Sequence, residues 1–186
     1  MDVKTVCLAI LSVSDATGYE IRKQFEDGPF AYFYEAGYGS IYPALNRLRE
    51  EGLVSVRNVP QEGKPDKKVY RINDEGRAAL KEAMNERPEH DRLRSDFLVM
   101  MLFAHKLDPK SRKEAYDAYL NFHRRHLAEM KGEIDGVCTE IGECFDDLPG
   151  HDFVHGFGVA VYSTVVEYLE KNRHLLFSDE SDAAAE

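Results

Sequence analysis

Four histidines fall in helix-compatible pairs, His123 with His126 at i, i+3 and His151 with His155 at i, i+4, the spacings at which two imidazoles can share a metal ion. Neither pair has a carboxylate or thiolate beside it in a recognised ligand motif, so His123 reads as a seam residue and the others as surface or packing residues. No metal is expected. Cys7, Cys138 and Cys144 are odd in number and at no metal spacing, and Cys7 sits in an apolar helical pattern, which points to buried free thiols. Phosphate-cradling glycine loops, nucleophile elbows and paired-carboxylate motifs are all missing. An enzyme is therefore not expected, nor a cofactor. What remains is the polar side of the stretch from Tyr38 to Val54, YGSIYPALNRLREEGLV, and a lysine-rich segment downstream of it. Its phenol, amide and cationic groups suit recognition of a partner.

At about 100° per residue, Ile41, Ala44, Leu45 and Leu48 fall on one face of a helix, with Tyr42, Pro43, Asn46 and Glu50 opposite and Arg47 and Arg49 on the flanks. One face packs and the other is offered outward. Ser40 is placed to cap this helix, Pro43 lies in its first turn and Gly52 ends it. Upstream, Val3, Val6, Cys7, Ile10 and Leu11 give a first apolar helical stripe, and Thr17 with Glu20 makes a capping box for a second helix from about Gly18 to Phe25. Asp27-Gly28-Pro29 breaks that helix. Downstream, Leu53 to Asn58 and Lys67 to Ile72 are short strand patterns joined by VPQEGKPD, a hairpin with a long tip. Asn73 can cap a fourth helix running to about Glu86. Three helices followed by a hairpin is the order of a winged helix-turn-helix.

The net charge of −10 argues at first against nucleic acid. Its distribution does not. Residues 1–87 carry net −1 and residues 88–186 net −9, while Tyr38 to Lys81 is net +3. DNA binding survives as a local property of the first half. No charged and apolar leader opens the chain, and no apolar run nears the roughly 18 residues of a membrane span, so a soluble, cytoplasmic protein with no membrane partner is expected.

The string Tyr38-Gly39-Ser40-Ile41-Tyr42-Pro43-Ala44-Leu45, followed by Arg47-Leu48 and Glu51-Gly52-Leu53-Val54, closely resembles the recognition helix of PadR-family transcriptional regulators. The resemblance implies an N-terminal winged helix-turn-helix and a helical C-terminal dimerisation region. It places Ser40 and Tyr42 for phosphate or base contact, Asn46 on a base edge and Arg47 on a phosphate, with Arg49 on the same helix. Gly63-Lys64-Pro65-Asp66-Lys67-Lys68-Val69-Tyr70-Arg71 resembles the family's wing tip and its basic, aromatic return strand, which implies phosphate contact by Lys64, Lys67 and Lys68 and a DNA-side role for Tyr70. Asp66 stands where a basic residue is common, and Val69 where an aromatic is. The bland alternative for the lysines is an exposed hairpin kept soluble and unable to pair edge to edge.

In the second half, Phe97 to Ala104 is an apolar run expected as a buried helix within Asp91 to His105. Tyr116, Leu120, His123, Leu127, Met130, Ile134, Val137, Ile141 and Cys144 then alternate in steps of four and three, a coiled-coil seam over four heptads of one long helix. Leu120, Leu127, Met130, Ile134, Val137 and Ile141 are the residues expected to dimerise. Phe153 to Leu169 reads as a further helix and SDESDAAAE as an acidic disordered tail. The expected organisation is mainly α with a small β-hairpin: residues 1–87 binding DNA, 88–177 dimerising, 178–186 the tail. The expected function is a homodimeric, sequence-specific repressor on a pseudo-palindromic DNA operator; the alternative is a winged-helix protein interaction module without DNA binding. The resemblance also implies a small aromatic or lipophilic effector. Phe30, Tyr32, Phe33 and Tyr34, with Phe97, Met100, Met101 and Phe103, could line its pocket or be ordinary core.

Overall fold

Asp2 starts the first helix: its carboxylate accepts the Thr5 backbone N–H and hydroxyl, both at 2.8 Å, and α1 (Val3–Val13) follows with Val6, Cys7, Leu8, Ile10 and Leu11 buried. The structure, a computed structural model, describes residues 1–26, 28–34, 36–61, 64–132, 145 and 147–177, with backbone alone at 61, 64 and 65. After β1 (Ala16–Thr17), the capping box closes in both directions: the Thr17 N–H donates to Glu20 at 2.6 Å and the Glu20 N–H to Thr17 Oγ1 at 3.2 Å. It launches α2 (Gly18–Glu26), which a 3-10 turn over Pro29–Tyr32 follows. Then come α3 (Tyr38–Glu50), β2 (Val54–Gln61), β3 (Lys64–Ile72) and α4 (Asp74–Met84), the last capped by Asn73. The three strands form one antiparallel sheet in the order β1-β3-β2. This is a winged helix-turn-helix.

Three details depart from the pattern in the sequence. The first is the start of α3, which begins at Tyr38 with Gly37 as its N-cap; Ser40 lies inside the helix and its hydroxyl donates to the Gly37 carbonyl at 2.9 Å. Ring packing of Tyr38 on Tyr42, centroids 4.5 Å apart, stabilises the extra turn. Pro43 therefore sits in the second turn, where its missing N–H leaves the exposed Gly39 carbonyl to water. The second departure is in the hairpin, whose strands run on to Gln61 and Lys64, with Pro60 accommodated where the register shifts between Val59 and Gln61. The tip is short. The third is β1, which occupies a segment that reads as a turn and adds two pairings, Ala16 with Tyr70 and Thr17 with Val69.

Ile10, Ile21, Ile41, Leu45 and Leu48 meet at the centre of this unit, with Cys7 among them. Burial, helped by the Asp2 charge, pushes the Cys7 thiol up to about 12, which removes it from thiolate chemistry. Lys4 joins α1 to the end of α3 through Glu51 at 2.7 Å. Phe145 packs into the same core, edge to face on Phe30 at 5.6 Å.

Among the described residues the second compact unit comprises 91–132 and 152–177. It contains α5 (Asp96–Leu102), α6 (Pro109–Met130), α7 (His151–Asn172, from Asp152 on) and α8 (His174–Phe177). No described helix is long and apolar enough to cross a membrane. The apolar run expected as a buried helix buries only Phe97; Leu98, Val99, Leu102 and Phe103 are exposed on the single chain. Nor is the seam one long helix, for α6 stops at Met130 and Gly132 takes φ +68°, a left-handed conformation that glycine adopts without strain at a helix C-terminus. Tyr116 and Leu120 pack with Val166 and Leu169 of the same chain, Leu127 joins them, and Met130 lies against Gly158. Leu120, Leu127 and Met130, expected at a dimer seam, have α7 as their partner within the chain. Ile134, Val137, Ile141 and Cys144 lie outside the described residues, as do Cys138 and the tail 178–186.

His123 is buried in that seam between Tyr119, Phe122 and Tyr162, its Nδ1 donating to the Tyr119 carbonyl at 2.9 Å. Burial holds its imidazole below the ordinary value of 6.5; the carbonyl bond opposes this and the nearby His126 adds to it. The unfolded chain therefore takes up this proton at a higher pH than the folded one does. Stability from this site is complete above about pH 6.5 and is lost as pH falls through the depressed folded value. We expect the drop in melting temperature between pH 7.5 and 5 to be smaller in His123→Phe than in the wild type. Equal drops in the two proteins would show that His123 does not couple to folding.

Candidate nucleic-acid interface

The site is assembled from α3 outward. Ile41, Ala44, Leu45 and Leu48 are buried, which fixes the rotation of the helix and leaves Asn46, Arg47, Arg49 and Glu50 exposed on its other side. Gly18, at the start of α2, lets α3 approach closely: a Cβ there would lie 2.7 Å from Tyr42 Cε1. The Tyr42 ring thus rests on α2 from one side and carries Tyr38 on the other.

Strand alternation aims the wing. Asp66, Lys68 and Tyr70 project from one face of β3, and Tyr70 pairs with Val56 of β2 and Ala16 of β1, which anchors the strand to the core. Tyr70 is 6 % exposed. Burial raises its phenol, a shift that the Arg49 charge opposes. Expected as a DNA-side residue, Tyr70 is a core residue with one edge in the groove.

A groove of about 790 Å³ opens between these elements. Thr17 and Gly18, with Tyr19 and Glu20, line it from the α2 side, Tyr38, Tyr42 and Asn46 from α3, and Asp66, Lys67, Lys68 and Tyr70 from the wing. Of the residues singled out in the sequence, it brings together Tyr42, Asn46, Lys67, Lys68 and Tyr70. Ser40 spends its hydroxyl on Gly37, and Arg47 and Arg49 are exposed away from the groove lining, Arg49 at 3.8 Å from Glu50. Lys64 begins β3, but its side chain, like Glu62 and Gly63, lies outside the described residues. Thr17, Tyr19, Glu20, Tyr38 and Asp66 line the groove without having been assigned a binding role from the sequence. For Tyr38 a signal existed, the i, i+4 spacing to Tyr42; for α2 only the fold reveals the proximity.

On the opposite face of the sheet, Asp15, Ser55, Arg57, Val69 and Arg71 surround a hollow of about 190 Å³. Arg71 pairs with Asp15 at 2.7 Å and fastens the wing to the turn before β1. The aromatic connection after α2 is mostly packing: Phe30 meets Phe25 and Phe33 at 5.7 and 5.6 Å, and the Tyr34 hydroxyl donates to the Met1 carbonyl at 3.0 Å. Tyr32 is half-buried and Phe33 exposed. In the other unit, Phe97 stacks on Tyr119 at 3.9 Å and Met101 is partly buried, whereas Met100 and Phe103 are exposed.

Residues 7–82 match the transcriptional regulator PadR-like family. The negative transcriptional regulator PadR of Bacillus subtilis is 28% identical over 173 residues, 92% of this chain and 90% of that protein. Among solved structures, the PadR-like transcriptional regulator BC1756 of Bacillus cereus is 29% identical with a TM-score of 0.76, covering 95% of this chain and 99% of its own. Bacillus subtilis PadR shares the fold in its complex with operator DNA, at TM-score 0.71, 22% identity and coverage of 93% and 98%. It does so too in its complex with p-coumaric acid, at TM-score 0.64, 20% identity and coverage of 94% and 98%.

Proposed function

We propose, from the premise that this chain belongs through residues 7–82 to the transcriptional regulator PadR-like family and is a DNA-binding regulator, that it represses transcription as a homodimer on a pseudo-palindromic operator. The observation that carries this reading is the convergence of Tyr42, Asn46, Lys67 and Lys68 on one groove. The exposed end of Asn46 presents a donor and an acceptor, the pattern that matches adenine in the major groove, and the wing ammonium groups neutralise phosphates alongside. Ser40, Arg47, Arg49 and Lys64 supply further contacts to DNA. Repression is supported by the name of the Bacillus relative. The functional division is a DNA-binding unit of residues 1–90, which Phe145 joins, and a dimerising unit of 91–132 and 152–177 among the described residues, in place of the expected 1–87 and 88–177. A homodimer is supported by apolar side chains that α5 and α7 leave exposed, and a two-fold axis would set two recognition helices on two half-sites. An aromatic or lipophilic effector, such as the p-coumaric acid held by the Bacillus protein, would release DNA by preferring a dimer geometry that misplaces those helices.

The test is capture and sequencing of genomic fragments, followed by salt titration on a recovered fragment. Lys64→Ala, Lys67→Ala and Lys68→Ala together should weaken binding to every sequence and flatten the salt slope by about 0.9 for each phosphate that is no longer neutralised. An unchanged slope would remove the wing from the interface. A second reading is favoured by the carboxylates of Glu20 and Asp66 in the groove: a winged-helix module that binds a protein. If the wild-type protein retains no genomic fragment at low salt, this second reading takes over.

A further inference from the structure

We propose that Tyr38 is a specificity residue that reads a thymine methyl at the edge of each half-site. This rests on the DNA-binding reading above and adds an interaction that neither the sequence motif nor the groove's polar groups supply. Tyr38 is the first residue of α3 and 65 % exposed, although it is an aromatic side chain in the lining of the groove. Its ring packs on that of Tyr42 with centroids 4.5 Å apart and planes inclined by 41°. Tyr42 has no room to retreat, because α2 lies behind it at Gly18, where a Cβ would come within 2.7 Å of the ring. The chain Gly18, Tyr42, Tyr38 therefore holds an exposed ring at a set height above the start of the recognition helix, the end that enters the major groove in helix-turn-helix proteins.

A ring held this way has given up its rotamer freedom before binding, so its burial against DNA carries a small entropic cost. The apolar surfaces in the floor of the major groove are the thymine 5-methyl groups. The nearby polar groups are already matched to other chemistry: Asn46 to a base edge, Lys67 and Lys68 to phosphates. The Tyr38 ring is the large exposed apolar surface that α3 offers to the groove.

The experiment replaces thymine by deoxyuridine, one position at a time, in a recovered operator, which deletes the methyl and leaves every hydrogen-bonding atom in place. Wild-type protein should bind about fourfold more weakly at one position in each half-site, the ~0.8 kcal/mol of one buried methyl group. Tyr38→Ala should bind thymine and deoxyuridine operators equally. Tyr38→Phe, which keeps the ring, should retain the difference. Circular dichroism and melting temperature confirm that the variants fold, as expected for an exposed position. Three results overturn the proposal: no position sensitive to deoxyuridine in the wild type, a Tyr38→Ala protein with the full penalty, or Tyr38→Phe without it. In each of those cases the wild type still binds the operator and the DNA-binding reading stands; absence of binding to any fragment removes both.

Discussion

Phe153→Asp combined with Phe157→Asp should convert the proposed dimer to a monomer and weaken operator binding by about 10²- to 10⁴-fold, the range by which linking two half-site engagements exceeds one alone. Phe153, Phe157 and Val161 recur every four residues along one face of α7, and all three are exposed on the single chain. Leu98, Val99, Leu102 and Phe103 of α5 are exposed in the same unit. An exposed apolar stripe such as that of Phe153, Phe157 and Val161 marks an interaction site, and each side chain covered contributes about 1.5 to 3 kcal/mol. The seam of α6 is not the place to make the test. Leu120 and Leu127 are engaged within the chain, so a charge there would unfold the unit and report nothing on assembly. Mass by light scattering, operator affinity and helical content by circular dichroism should be measured on one sample. A folded double variant with wild-type mass and affinity would place the dimer interface elsewhere or abolish it.

Gly76→Ala should cost about 3 kcal/mol or more, the upper end of overpacking effects. For a domain of this size that lowers the melting temperature by about 12 °C or more. A Cβ at Gly76 would lie 2.2 Å from the Leu53 carbonyl oxygen and 2.8 Å from Ile72 Cγ1. Neither side can give way easily. The Gly76 N–H is bound to Asn73 Oδ1 at 2.8 Å, and Asn73 in turn donates from its backbone to the Leu53 carbonyl at 3.3 Å and from Nδ2 to the Gly52 carbonyl at 2.6 Å. This knot sets the start of α4 against the start of β2 and so aims the wing. Gly39→Ala is the internal control, since nothing lies within 4 Å of its Cβ and the position is helical, so it should be neutral or mildly stabilising. Equal melting temperatures for the two variants would show that the α4 junction yields.

What the sequence determined by itself lies within the reach of one turn or one hairpin. The amphipathic division of α3, the reciprocal Thr17–Glu20 cap, the Asn73 cap and the two strands of the wing depend on neighbours close along the chain, and all are present. Of the groove, Tyr42 and Asn46 were legible because the helical period put them on the polar face of α3, and Lys67 and Lys68 through the resemblance carried by the wing segment. Tertiary structure decided the rest. Two residues of β1 carry no pattern, and they become a strand because the exposed edge of β3 is there to pair with. Tyr70 reads as a surface aromatic and is buried because the sheet closes over it. Tyr19 and Glu20 reach the groove only because Gly18 brings α2 against α3. The heptad seam shows the limit most plainly. A repeat of Leu and aromatic side chains specifies that α6 must be covered along one stripe, and the free energy of covering it is the same whichever chain supplies the cover. Here α7 of the same chain supplies the cover, and Gly132, free to take a positive φ, follows the end of α6.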